Sequence, residues 1–354
     1  MERQYQHLRE VWIDYVKVIA CVLVVLGHLL QSFSSAELIA RNAVYRWFEA
    51  SIYCYHVPLF FICSGYLYQK HTRLDSWKSY GCHVLKKAVV LGVPYFTFSV
   101  LTWALKFFFA DSINSALKGS LTEALFLSPL SPYWYLYVLF FLFLFVPTAS
   151  KKATIPILFV LSIVGKVAAV AGAETPVYFV NGILKNAIWF VLGMGLAYAQ
   201  INLKGMKKVW FATAGFCLFI GGSIIATYYQ AENHQAIAFP LGIVACISVL
   251  ILVINFEDLL TRSKVFPWLA RYTLPIFLMH TLAAAPIRVL LVKIGVLSAP
   301  VHIIVGMLAS FLLPIFAAFV MKKLKYPEFL LYPNKFVRFP TIRREVQNED
   351  TVHQ

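Results

Sequence analysis

Residues 11–31 read VWIDYVKVIACVLVVLGHLLQ. A helix that crosses a bilayer needs about 20 mostly apolar residues, and this run supplies them. It also carries an acid, a base and an imidazole, at Asp14, Lys17 and His28. With Cys21 and Val24 these groups recur at alternating spacings of three and four, so they share one stripe of a helix. Lys17 and His28 are three turns apart, about 16 Å along the axis. The segment has no small-residue cleavage site and reads as a retained helix, not a signal peptide.

The rest of the chain agrees with a membrane reading. Of 354 residues, 60% are hydrophobic and 13% are charged, with a mean hydropathy of +0.73. Soluble domains run near 45–50% apolar and about 25% charged, so a water-soluble globule is excluded. Ten stretches are candidate spans: 11–31, 44–68, 84–109, 132–148, 153–173, 178–200, 208–229, 236–255, 270–292 and 298–321. Pro58, Pro94, Pro275, Pro286 and Pro314 fall inside them, where membrane helices tolerate kinks. The expected fold is an all-α integral membrane protein, a bundle of about ten transmembrane helices with no soluble domain at either end. Residues 1–325 form the membrane domain and 326–354 a basic tail on the cytoplasmic membrane surface. Residues 69–83 read as a polar cytoplasmic connection, and about 110–131 as the longest outer loop.

The net charge of +15 fits cytoplasmic loops facing anionic lipid better than nucleic acid. With the N-terminus inside, 22 basic residues fall on the inner side and 3 on the outer. That asymmetry favours cytoplasmic termini at both ends. None of the six cysteines forms a C-x-x-C pair and no His/Cys/carboxylate cluster has ligand spacing, so no metal site or disulfide framework is expected. No Gly-rich phosphate loop and no internal repeat is evident.

Ionisable groups inside spans are costly and are functional candidates. Asp14 can pair with Lys17 at i,i+3, and His28 can hydrogen-bond between helices, which gives the first stripe a purely structural reading as well. The second span, YHVPLFFICSGYLY, holds His56, Pro58, Ser64 and Gly65. His56 can satisfy a carbonyl freed by Pro58, and Ser64–Gly65 can be a close-packing contact. Alternatively His28 and His56 converge on one cavity, where an imidazole suits proton abstraction from a hydroxyl near neutral pH.

At these residues the chain resembles acyltransferase family 3 of the membrane O-acyltransferases, and within it the branch similar to fucose O-acetylases. The carriers are Asp14 and K-x10-H from Lys17 to His28, then H-x-P-L-F-F-x-x-S-G-Y from His56 to Tyr66. Lys86 and Lys87 precede Pro94-Tyr95, Trp-Tyr-Leu begins at Trp134 and Tyr135, WFVLGMGLAY covers 189–198, and LPIFLMH ends at His280. The chain departs from the family pattern with Lys17 for the commoner Arg, no R-x-x-R in the third span, and Phe277 where Tyr is usual. The resemblance implies transfer of an acyl group, acetyl by default, from cytoplasmic acyl-CoA to a hydroxyl of a cell-surface glycan or lipid-linked sugar. It implies His28 as base, with His56 and His280 as further catalytic candidates. Lys17, Lys86 and Lys87 would meet the donor's phosphates. Ser64 would be an acyl carrier, an oxyanion donor or a packing residue; Asp14, Trp134 and Tyr135 would be substrate-binding or structural. It also implies a bacterial plasma membrane setting, acetyl-CoA as co-substrate with no bound cofactor, and no nucleic-acid partner. A secondary transporter of a sugar or small solute is the competing class, on intramembrane charges at Lys106, Lys166, Lys185 and Arg288.

Overall fold

The computed structural model describes residues 10–72, 74–109, 119–149, 151 and 153–339. Those residues form helices and no strand. Three long helices open the chain: α1 (Val11–Ser35), α2 (Ala43–His71) and α3 (Trp77–Phe108). Two shorter apolar ones follow, α4 (Trp134–Phe145) and α5 (Thr154–Val170), then α6 (Tyr178–Tyr198), α7 (Met206–Tyr228) and α8 (Gln235–Asn255). The short helices α9 (Glu257–Arg262) and α10 (Val265–Ala270) lead into α11 (Thr273–Lys293) and α12 (Ala299–Leu324), and α13 (Glu328–Leu331) ends the series.

Each of the ten expected spans overlaps one of the longer helices. Eight are long and apolar enough to cross a membrane; α4, with 12 residues, and α5, with 17, are shorter. Their limits have local causes. α4 stops before Val146, the residue preceding Pro147, a position biased away from helical backbone. α5 stops just before Gly172, whose φ of +88° is the left-handed conformation that ends helices. The polar connection expected over 69–83 is only 72–76. α2 continues to His71, and Ser76 and Ser79 cap α3 reciprocally so that it begins at Trp77. Of the expected outer loop, residues 110–118 lie outside the described residues; 123–127 form a π-helical turn.

α2 is the central helix and packs on α1, α6, α7 and α8. Its approach to α6 is close because a Cβ on Gly65 would sit 1.9 Å from the Phe190 carbonyl oxygen. One on Gly193 would sit 2.0 Å from the Ile62 carbonyl oxygen. These small residues let two backbones touch, which is how membrane helices associate without a hydrophobic driving force. The outward faces of α5, α7 and α12 expose Val160, Leu161, Phe211, Leu218, Phe316 and Phe319, as a lipid-facing surface does. The segment after α12 folds back on α3, and Leu331 there is buried. Residues 340–354 of the expected tail lie outside the described residues.

Candidate active site

The helix directions divide the candidate residues between the two ends of the bundle. Lys17 stands in the second turn of α1, while Lys86 and Lys87 stand in the third turn of α3. Lys87 Nζ lies 3.7 Å from the ring centre of Phe143, near the end of the antiparallel α4, and Lys17 is close enough to repel it. Lys86 is exposed. Lys70, at the same end, is held by Glu10 in an ion pair. Burial raises the Glu10 carboxyl, but the hydrogen bonds from Lys70 and Trp12 outweigh it, so its pKa falls below the ordinary range. The expected Asp14–Lys17 pair is not among the salt bridges of the described residues, although Asp14 is not without a partner.

Toward the opposite end, the second half of α1, the middle of α2, the last turns of α5, the first half of α6 and the first turns of α4 and α8 line a cavity of about 740 Å³. That is the size range of small-ligand sites. His28 and His56 both line it. Their convergence, open at the sequence level, is realised. His56 is buried, and its Nδ1–H donates to the Ile52 carbonyl at 2.7 Å. The ring has only a carbonyl to meet at Nδ1, so the tautomer that bonds it leaves Nε2 with a lone pair. His280 does the same one helix away, with Nδ1 2.9 Å from the Phe277 carbonyl oxygen and Nε2 buried without a partner. The rings of His28 and His280 are 5.2 Å apart, centre to centre. His28 itself is half-buried and makes no hydrogen bond among the described residues, which leaves its ring nitrogens open to the cavity.

Trp134 and Tyr135 also line the cavity. Tyr135 is fixed by two contacts: its hydroxyl donates to the Phe60 carbonyl at 3.3 Å, and Ser64 Oγ lies 3.0 Å away. Ser64 is therefore engaged with a phenol and, among the described residues, with no histidine hydrogen bond. Its neighbour Gly65 serves the α2–α6 contact, so the packing reading of this pair is the one the geometry favours. Along the α1 stripe, Val24 reaches the cavity while Cys21, next below, is buried in the core with Sγ 3.7 Å from the Thr273 carbonyl oxygen.

Sequence reasoning left several cavity residues unassigned. Glu174, Glu232, Gln235 and Trp189 form much of its wall, and Lys166 and Lys185, noted only as intramembrane charges, join them. Lys185 pairs with Glu174 at 3.6 Å and Arg46 with Glu232 at 2.9 Å. Arg288, also noted as an intramembrane charge, is buried and donates from Nη1 to the Ser32 carbonyl at 3.1 Å and hydroxyl at 2.7 Å. Ser32 is one turn beyond His28, so this contact ties the C-terminal end of α1 to the helix that bears His280. The intramembrane charge of Arg288 was the only sequence signal for it.

The acyltransferase domain pattern of acyltransferase family 3 matches residues 10–319, nearly the whole chain. This chain belongs to acyltransferase family 3. Nodulation protein NolL of Mesorhizobium japonicum is 29% identical over 229 residues, covering 60% of this chain and 56% of the relative. Nodulation protein NolL of Sinorhizobium fredii is 45% identical over 62 residues, covering 17% and 16%. The chain thus spans about half the length of the first relative and less of the second. No solved structure matches. With its multiple apolar helices, this family member is a multi-pass membrane protein.

Proposed function

We propose that this family member is a membrane O-acyltransferase that moves an acyl group, acetyl by default, from acyl-CoA to a carbohydrate hydroxyl. The acceptor is a cell-surface glycan or a lipid-linked sugar precursor. The observation that carries the reading is His28 on the cavity wall, three turns along α1 from Lys17, with His280 against its ring. Family membership supports the same reaction class and weighs against a transporter.

In this reading the two ends of the bundle have separate tasks. The exposed Lys86, with Lys17 and Lys87, attracts the phosphates of acyl-CoA from the cytoplasmic side, as point charges without an arginine's fork. The acceptor enters the cavity at the other end. Its hydroxyl oxygen attacks the thioester carbonyl carbon, a C–O bond forms, and the proton passes to an imidazole nitrogen of His28. The C–S bond breaks and CoA leaves as a thiolate that takes up the proton. The buried Nε2 of His280, next to the His28 ring, can hold that ring's orientation or accept its proton. The Ser64–Tyr135 contact supports direct transfer, without an acyl-enzyme. Because Cys21 closes the stripe between the two ends, the acyl arm of the donor reaches His28 only when the side chains around Cys21 part.

The test is a coupled assay on purified protein in lipid nanodiscs. Labelled acetyl-CoA and a crude carbohydrate fraction from the source cells should yield free CoA thiol and labelled ester in equal amounts. Flux of an unmodified sugar with no CoA release would instead support the transporter.

A further inference from the structure

Among the described residues, the wall of the cavity described above does not neutralise the cation of Lys166. Lys166, near the end of α5, is only 6% exposed yet lines the cavity. Its contacts are weak for a buried ammonium: the Gln235 Oε1 at 3.4 Å and the Phe239 ring centre at 5.1 Å. Both acids on the cavity wall are already engaged, Glu174 by Lys185 and Glu232 by Arg46. Among the described residues no carboxylate lies within salt-bridge distance of Lys166. Lys185, although paired with Glu174, is near enough to repel Lys166 and adds no compensating charge. Ionisable groups at membrane depth ordinarily face a cavity and pair with an opposite charge. Here the cavity is present, and the described residues supply no opposite charge to Lys166.

We infer that the acceptor carries an anionic group, a carboxylate or a phosphate, which docks on Lys166 beside Lys185 while the hydroxyl to be acylated faces His28. This rests on the acyltransferase reading of the cavity. Three further features suit a sugar bearing such a group. Trp134, Tyr178 and Trp189 give flat apolar surfaces for a ring. Glu232 Oε2 is buried without a partner and can accept from a sugar hydroxyl. Glu174, half of an exposed pair with a long separation, can release Lys185 to the incoming anion at little cost.

The experiment measures binding and acetyl transfer separately, in nanodiscs of zwitterionic lipid. Three probes are used: a glucuronic-acid disaccharide, its carboxyl-reduced neutral counterpart, and a neutral disaccharide 1-phosphate. At least one anionic probe should bind ten-fold or more tightly than the neutral one. Lys166→Gln should erase that preference and raise the KM for the anionic acceptor with little change in kcat. Lys166→Arg should retain the preference, which controls for folding. Acetyl-CoA binding should be unchanged in both. Equal binding of all three probes, no binding of any, or a Lys166→Gln loss shared equally by neutral and anionic probes would overturn the inference. If the neutral probe is acetylated as well as the anions, the acyltransferase reading stands and the anionic acceptor falls. If the anion preference holds but no probe is acetylated, the docking site stands and the transfer reading falls.

Discussion

A hydroxyl loses its proton in acyl transfer only if an acceptor stands at the reacting oxygen, and His28 reaches the cavity with no hydrogen bond of its own among the described residues. Its replacement by Gln keeps size and hydrogen bonding but removes the proton acceptor. Turnover of His28→Gln should therefore fall about 10²–10⁴-fold, with acetyl-CoA binding unchanged and the protein monodisperse in detergent. Near-normal turnover would move the base to His56, whose Nε2 is free once Nδ1 bonds Ile52. At the donor end, Lys17→Arg should keep most activity, because it preserves the charge, while Lys17→Ala should raise the KM for acetyl-CoA several-fold. Measured KM values for the two variants decide this. That His28 and Lys17 share one helix was legible in the sequence, because the apolar run fixes the helix and the spacing fixes the face. Lys166 was visible as a charge inside a span, but its role was not. The cavity wall is built from several helices far apart in the chain, and no local pattern encodes which of their side chains meet.

Helix contacts carry the next level of the account. Gly65 and Gly193 let α2 and α6 touch backbone to backbone, and a Cβ at Gly65 meets a carbonyl oxygen that cannot rotate away. Gly65→Ala should cost about 1–3 kcal/mol by overpacking, read as a lower melting temperature in detergent. Gly81→Ala, where a Cβ has open space, should leave the melting temperature unchanged or raise it slightly. Arg288 is the corresponding clamp at the cavity end of α1, donating to a last-turn carbonyl as a C-terminal cap does. Arg288→Met should lower turnover by loosening the helix that holds His28, and should cost about 1.5–3 kcal/mol of stability. A variant with wild-type kcat would show that α1 is held without it. The glycine of the S-G pair was readable as a packing residue from sequence. Its partner Gly193 was not, because helical pairing between α2 and α6 joins segments over a hundred residues apart.

Across the whole molecule, the account needs the donor cations and the cavity on opposite sides of the membrane. The helix directions put them at opposite ends of the bundle, and the account takes the Lys17 end as cytoplasmic, the orientation expected from the excess of basic residues in alternate connections. Reporter fusions at Lys204–Lys208 should read inside, and fusions in the 171–176 and 230–234 connections, which border the cavity, should read outside. The all-α membrane fold was legible from composition and apolar run length alone, since few other structures satisfy the backbone in lipid. The lengths of α4 and α5 were not, because hydropathy counts apolar residues across Pro147 and Gly172 without registering that the helix has ended. The most direct measurement supplies labelled acetyl-CoA to the cytoplasmic face of source-cell membranes containing either wild-type protein or His28→Gln at matched levels. The account predicts alkali-labile acetyl ester on carbohydrate with the wild type and a loss of at least about 100-fold with the variant. Equal ester formation by the two, or none by the wild type, would contradict it.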